Sequence, residues 1–417
     1  MPAAPAHNVA LWDKARSWLS SNRPWVIGRR YARRALEEAR RGDTLVYRTF
    51  TGPRAGGDAP LALHYLGRGR FAQDFLVFFS RAPGDANIQQ EVRSQLRWPQ
   101  FLRQRQALSR APHDADLMVI DRVVGLFAGK HTPAYVPFVE AHLPVAPSME
   151  AQLAQVRSKG HRRKLQAAIK RGFQWRKSRS PADFALFYDT MYAPFVEQRF
   201  QFDRSVISRD DMQRVFARRG FLLLLEVDGT AVSGAMMYVD AGDPTTLAYW
   251  KYGLADAASL TANVFGERNG LTEAMVLAYA VEQGFARIDF GLTRALPADG
   301  IFTHKKRLGC DFAVPADLPA SFALHVPRRR RAMVCAAQPM VVVEHDALVV
   351  WMGHQGPLDA AAAARLGDRL RGGCFPAAKA LHLFVADCPD GDRARLEAAA
   401  KAVSDEGSVR VATHFSS

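Results

Sequence analysis

One run of the chain restricts its fold more than any other, residues 221 to 291. "FLLLLEVDGTAVSGAMMYV" holds two β-type runs on either side of Asp228-Gly229, the residue pair a tight two-residue hairpin turn favours. A third such run, "TTLAYWKYG", follows the turn Gly242-Asp243-Pro244. Leu271, Ala274, Met275, Ala278 and Val281 then share one stripe of a long helix over about 264–283, with Gly284 to end it. "RIDFG" returns to a strand, a turn of helix follows, and "SFALHVP" supplies another strand. This order implies an α/β fold (α+β, mixed sheet).

The flanks divide by pattern. Residues 1–42 read as amphipathic helices, with Leu11, Ala15, Trp18 and Leu19 on one face. An α/β unit over 43–147 has strand-like runs "TLVYRTF", "LALHYLG" and "DFLVFFS", a helical region near 88–108, then "LMVIDRVVGLF". A boundary falls at Pro144-Pro147, and the central unit spans 148–327. Ser148 is placed to cap one helix, Gly172 to end the basic helix over 161–171, and Pro181 to start another. Arg328-Arg329-Arg330-Arg331 reads as a linker to a small appended α/β unit over 332–417. With 417 residues there is room for two or three cores.

Charge indicates what the chain meets. The formal net charge is +15, which draws a protein toward phosphate on a nucleic acid, a membrane surface or a phosphorylated cofactor. Ten Lys or Arg and no acid lie between Arg157 and Arg179. The N-terminal "MPAAPAHNVALWDKARSWLSS" has no signal-peptide core and no run is long enough to span a bilayer, so a cytoplasmic location is expected. Cys310, Cys335, Cys374 and Cys388 form no CxxC pair, and reduced thiols without a metal are expected.

Several motifs fail on context. Gly67-Arg68-Gly69-Arg70-Phe71-Ala72 has the letters of a dinucleotide fingerprint but precedes a strand-like run where a helix is needed. "GLFAGKHT" is one residue short of a P-loop, with His131 where a magnesium-binding hydroxyl belongs. Asp114-Ala115-Asp116 suits a metal–nucleotide pair less well than a solvated loop. No GxSxG or HExxH motif is present.

Acyl transfer to an amine fits what is left. A donor's diphosphate needs N–H groups at a helix start, where Asn263, Gly266, Arg268 and Asn269 lie. The leaving group needs a proton, and strand alternation presents Tyr249 on one face and Tyr252 on the other. The attacking ammonium must lose a proton, for which Asp289, at the strand end, is a base or relay. Lys251, Arg294, His304 and Lys305 are the candidate groups for holding substrate. Each has a plainer reading: Asp289 as a turn cap or the partner of Arg287 or Arg294, the aromatic residues as core, the lysines as a solvated face.

The hairpin, "LAYWKYG", the helix ending "AYAVEQGFARIDFG" and then "THKKRLG", with "VRSKGHRRKLQAAIKRGFQW" upstream, resemble the FemAB-like and CelD-like acyltransferases of the GNAT superfamily over about 148–327. The resemblance implies a GNAT-like fold, often in two copies, with 43–147 a degenerate first copy. It matches Asp289 and Gly291 to the family's strand-end motif, and Lys305 with Gly309 to its later Lys and Gly. It also implies transfer from acetyl-CoA or another acyl-CoA to an amine acceptor, in cell-envelope, exopolysaccharide or small-molecule biosynthesis. The usual diphosphate loop is compressed to Arg268-Asn269-Gly270, which keeps two alternatives open. One is aminoacyl transfer from charged tRNA, held along 157–179; the other is a non-catalytic nucleic-acid or anionic-surface binder on a transferase fold.

Overall fold

The computed structural model describes residues 45–53, 60–69, 71, 72, 75, 89–96, 115–121, 133–199, 206–256, 261–315, 322–345, 347–386, 388–406 and 409–415. The helices expected over 1–42, the P-loop-like run, Asp114 and most of "DFLVFFS" lie outside these residues.

The chain opens with strands β1 (Leu45–Pro53), β2 (Pro60–Arg68), β3 (Gln89–Leu96), β4 (Leu117–Asp121), β5 (Ala134–Tyr135) and β6 (Phe138–Pro144). Helices α1 (Met149–Gln155) and α2 (Lys159–Arg171), strand β7 (Gln174–Ser178) and helix α3 (Pro181–Leu186) follow. A π-helical turn (Phe187–Tyr192) joins α3 to α4 (Ala193–Arg199), and α5 (Arg209–Arg219) comes next. Strands β8 (Gly220–Val227), β9 (Thr230–Val239) and β10 (Thr246–Leu254) lead into α6 (Ala262–Glu282), β11 (Arg287–Arg294), α7 (Gly300–Leu308), β12 (Asp311–Ala313) and β13 (Phe322–His325). The last part is α8 (Arg328–Ala337), β14 (Met340–Glu344), β15 (Ala347–Gln355), α9 (Ala360–Gly373), β16 (Ala378–Ala386), α10 (Asp390–Glu406) and β17 (Arg410–Phe415).

These strands form two mixed sheets. One has the order β12-β6-β11-β10-β9-β8-β7 and the other β17-β16-β15-β14-β5-β13-β4-β2-β1-β3. Strand pairing crosses the chain segments that the pattern suggested. Strand β6, before Pro144-Pro147, pairs with β11 and β12, and β14–β17 share a sheet with β1–β4. The helix expected near 88–108 is corrected over its described part: Gln89–Leu96 is strand β3, antiparallel to β1. Its Gln, Glu, Arg and Leu favour a helix locally, and pairing at the sheet edge overrides that preference.

Local chemistry accounts for the core of the seven-stranded sheet. Asp228 (φ 51°) and Gly229 (φ 73°) both take the left-handed conformation that a type I′ hairpin turn requires. Along β8, Leu223 and Leu225 enter the core under α6 while Leu222 and Leu224 enter the core under the π turn, so the run is buried on both faces. Each such leucine contributes about 1.5–3 kcal/mol of burial. Ser148 and Ser158 cap α1 and α2 through the N–H groups of Ala151 and His161, and Gly172 (φ 74°) ends α2. The helix expected from Pro181 is present, with the π turn inside it. There β10 approaches so closely that a Cβ at Gly253 would lie 2.8 Å from the Tyr192 nitrogen.

Candidate active site

Strands β10 and β11 are parallel neighbours joined by α6, and they pair only through Thr246–Arg287, Leu247–Ile288 and Ala248–Asp289. Past that point they separate. Strand β10 continues against β9 to Leu254, and β11 continues against β6 to Arg294. Each bulges where the split begins: the β10 register jumps between Tyr249 and Lys251, and the β11 register between Asp289 and Leu292. The result is a gap at the C-terminal ends of two parallel strands, lined by backbone that no other described strand pairs.

The "IDFG" segment builds the second bulge. Asp289 Oδ1 accepts the Gly291 N–H at 2.7 Å, and Gly291 takes φ 68°. Lys305 Nζ, on α7, donates to the carbonyls of Phe290 (2.8 Å), Gly291 (3.2 Å) and Leu292 (3.1 Å). Burial pulls this amine down to about 8, so it remains mostly charged at neutral pH. Its N–H groups are directed to the three carbonyls of the bulge. His142 Nδ1, on β6, lies 3.8 Å from Asp289 Oδ1.

The basic cluster His304-Lys305-Lys306-Arg307 resolves into separate ties. Lys306 Nζ donates to the carbonyls of Arg371, Gly372 and Cys374 at the end of α9, and burial lowers it to about 8. Arg307 is exposed. His304 turns inward to a group the sequence reading did not single out, Glu273.

Glu273, on α6, is 5% exposed and has three partners. His304 Nε2 lies 2.5 Å from Oε1, Asn269 Nδ2 donates to Oε1 at 2.9 Å, and His161 Nε2 lies 2.9 Å from Oε2. The two imidazole rings meet edge to face, centroids 5.3 Å apart. Burial pushes the Glu273 carboxyl up, but the hydrogen bonds and charges of His161 and His304 outweigh it and hold the group at about 2. Glu273 is therefore a buried anion clamped by residues from α2 and α7. Two signals for it existed in the sequence: an acid inside the apolar run "LTEAMVLAYAV", and a histidine inside the acid-free stretch "RSKGHRRK".

The other predicted residues scatter around the gap. Tyr249 packs edge-on against Phe290 across it, centroids 5.2 Å apart. Burial, then Tyr252 and Glu273, push its phenol well above the ordinary value, so it is held as a proton donor. Tyr252 packs against Phe195 with the other core. Lys251 lies 5.5 Å from the Trp250 ring, and burial lowers its amine. Arg294 ends β11 opposite Phe138. At the start of α6, Thr261 caps the Val264 N–H, Gly266 has open space on its Cβ side, and Arg268 Nη1 donates to Ala255 O at 3.3 Å. Asn269 Nδ2 donates to Glu273 Oε1. Asn263 lies in the first turn of α6.

The basic segment also divides. Arg162 donates to the carbonyls of Ala154 and Val156, Arg157 to that of Cys310, Lys177 to the Tyr279 hydroxyl, and Arg176 binds Asp183 and Glu226. Lys159, Arg163, Lys164 and Lys170 form an exposed cationic face on α2. Outside this region, Asp116 accepts from Ala62 N–H and pairs with Arg330, a structural role.

No family model and no curated protein matches the chain. Solved structures of similar shape include FemX, with a TM-score of 0.36, 12% identity, and 68% of this chain and 88% of that one covered. Another is L-PGS from Bacillus licheniformis, with a TM-score of 0.30, 10% identity, and 70% and 86% covered. A conserved protein of unknown function from Enterococcus faecalis V583, described as a "Probable N-Acyltransferase", has a TM-score of 0.26, 6% identity, and 75% and 72% covered. Among the described residues no group of His, Cys, Asp and Glu is arranged to hold a metal, and no helix is long and apolar enough to cross a membrane.

Proposed function

We propose that the protein is an acyltransferase that moves an acyl group from an activated ester or thioester to an amine, with the donor's extended arm in the gap between β10 and β11. The parting of these two parallel strands past Ala248 and Asp289 carries the reading. An extended chain containing amides, such as the arm of an acyl-CoA, would find along the β10 rim the N–H and C=O groups that a strand partner would otherwise take, the bulge carbonyls of β11 being held by Lys305. The N-terminal turn of α6 offers a positive helix end to a diphosphate, with no acid in that turn and open space on the Cβ side of Gly266. Tyr249, held protonated beside the gap, is suited to give a proton to the leaving group. Asp289 and Lys305 keep the gap open through the bulge.

The exposed face of α2 favours a second donor, a charged tRNA, because four cations without an intervening acid form a phosphate track. Titration calorimetry against acetyl-CoA, longer acyl-CoA thioesters and charged tRNA separates the two. Release of thiol or tRNA is then followed with a panel of amines. One donor class is expected to bind and to be consumed only when an amine is present. Failure of every donor to bind or to be consumed overturns the proposal.

A further inference from the structure

Glu273 poses a chemical question that the gap alone leaves unanswered. A carboxylate 5% exposed is costly in a protein interior unless it is paired, and here His304 and Asn269 bond Oε1 while the His161 ring stands 2.9 Å from Oε2, outside hydrogen-bond geometry. Two imidazoles on a single carboxylate place two proton-carrying rings on one anion. The rings also differ in access: the His304 side chain is 40% exposed and that of His161 14%.

The position of the unit links it to the gap. His304 and Lys305 are consecutive on α7; Lys305 grips the β11 bulge on one rim while His304 reaches Glu273 on α6. On the β10 side, the Glu273 charge is felt by the Tyr249 hydroxyl, whose ring packs on Phe290. The titratable groups around Glu273 are His161 from α2, His304 from α7, Tyr249 from β10, and Cys310 just after α7, whose thiol burial pushes up to about 12. Of these, only the imidazoles belong to a residue type that takes up and returns a proton near neutral pH.

We infer that the His161–Glu273–His304 unit is the proton acceptor for the incoming amine, with His304 as the ring that meets it. This rests on the acyltransferase reading. An acceptor entering as a primary ammonium gives one N–H proton to the imidazole, and Glu273 stabilises the imidazolium. The freed nitrogen lone pair forms the bond to the donor's carbonyl carbon, the carbon–sulfur or carbon–oxygen bond of the donor breaks, and the departing thiolate or alkoxide takes a proton from Tyr249. The acceptor is thus a primary amine with an ordinary high pKa, approaching from the side where α2 and α7 meet.

The test uses the full chain with whichever donor it binds and an alkylamine acceptor, with kcat and KM measured from pH 5.5 to 9. His304→Gln and His161→Gln are expected to keep donor affinity within threefold, and His304→Gln to lower kcat about 100-fold, the usual range for loss of a general base. Glu273→Gln should move the acid limb of kcat/KM to lower pH, since the anion favouring the imidazolium is gone. A structural latch would change thermal stability but leave that limb in place. An acceptor amine of low pKa, which enters already neutral, should partly rescue His304→Gln. If both histidine variants transfer at the wild-type rate with the same acid limb, the proton-acceptor assignment is overturned and the transferase reading stands. If a donor binds but no amine is ever acylated, both fall.

Discussion

Asp289, Gly291 and Lys305 act together on one short piece of backbone. The Asp289 carboxylate accepts the Gly291 N–H, Gly291 supplies the positive φ, and Lys305 gathers three successive carbonyls. Asparagine at 289 keeps an oxygen for the Gly291 N–H, so Asp289→Asn should retain stability and transfer within a few-fold. Asp289→Ala should cost about 1 kcal/mol in chemical denaturation. Abolition of turnover by Asp289→Asn with stability intact would show instead that this carboxylate moves protons. Lys305→Met removes a charged donor from three carbonyls and should cost about 1.5–3 kcal/mol. The pH dependence distinguishes this residue further. Its folded value of about 8 lies below the unfolded 10.5, so between them the unfolded chain binds more protons. Wild-type stability relative to Lys305→Met should therefore rise as the pH climbs from 8 to 10.5 and be flat below 8.

At the level of elements, α2 has an inner and an outer job. Its inner face sends His161 to Glu273, which ties α2 to α6 and, through His304, to α7. Because Glu273 is held near 2 when folded and returns to about 4.5 when unfolded, its stabilisation is complete above pH 4.5 and disappears as the pH falls toward 2. That amounts to on the order of 3 kcal/mol. Acid unfolding of the wild type and Glu273→Gln should accordingly converge at the lower end of that window and separate above it. The outer face is tested by neutralising Lys159, Arg163, Lys164 and Lys170 together. If charged tRNA is the donor, each lost phosphate contact removes about 0.7–0.9 from the slope of log K against log salt, about 2.8–3.6 for four. Binding of an acyl-CoA should scarcely change. The elements themselves were largely legible: the Asp228-Gly229 hairpin, the Ser148 cap and Gly172 are local signals that the structure has, and of the α6 stripe Leu271, Ala274 and Met275 face the core while Ala278 and Val281 are not among its core residues. Strand β3 was not, because its residues favour a helix until β1 is beside them. The Glu273 unit joins residues 161, 273 and 304, and only the chain's path through α2, α6 and α7 brings them together.

Across the whole molecule, the C-terminal strands are built into the scaffold on two sides. Strand β14 pairs with β5 and so extends the sheet that contains β1, β2 and β4, while α9 presents its last carbonyls to Lys306. Phe302 of α7 stacks on Phe312 of β12 with centroids 4.2 Å apart, and Phe375 closes on both edge-on at 5.5 and 5.3 Å. Sequence order alone suggests an appended unit after residue 331, since neither the β5–β14 pairing nor the Lys306 tie leaves a local signature. The helix that carries His304 and Lys305 is therefore braced from behind by the C-terminal part of the chain. Phe375→Ala should cost about 3–5 kcal/mol, the range for emptying an aromatic site in a core. A difference in consequence follows from that bracing. If residues 338–417 stabilise α7, their removal should lower the midpoint reported by Trp175 and Trp250 fluorescence, two tryptophans of the seven-stranded sheet, and should weaken donor binding. Should those probes instead report the same midpoint and affinity with and without residues 338–417, the Phe302–Phe312–Phe375 stack and the Lys306 bonds do not support the site.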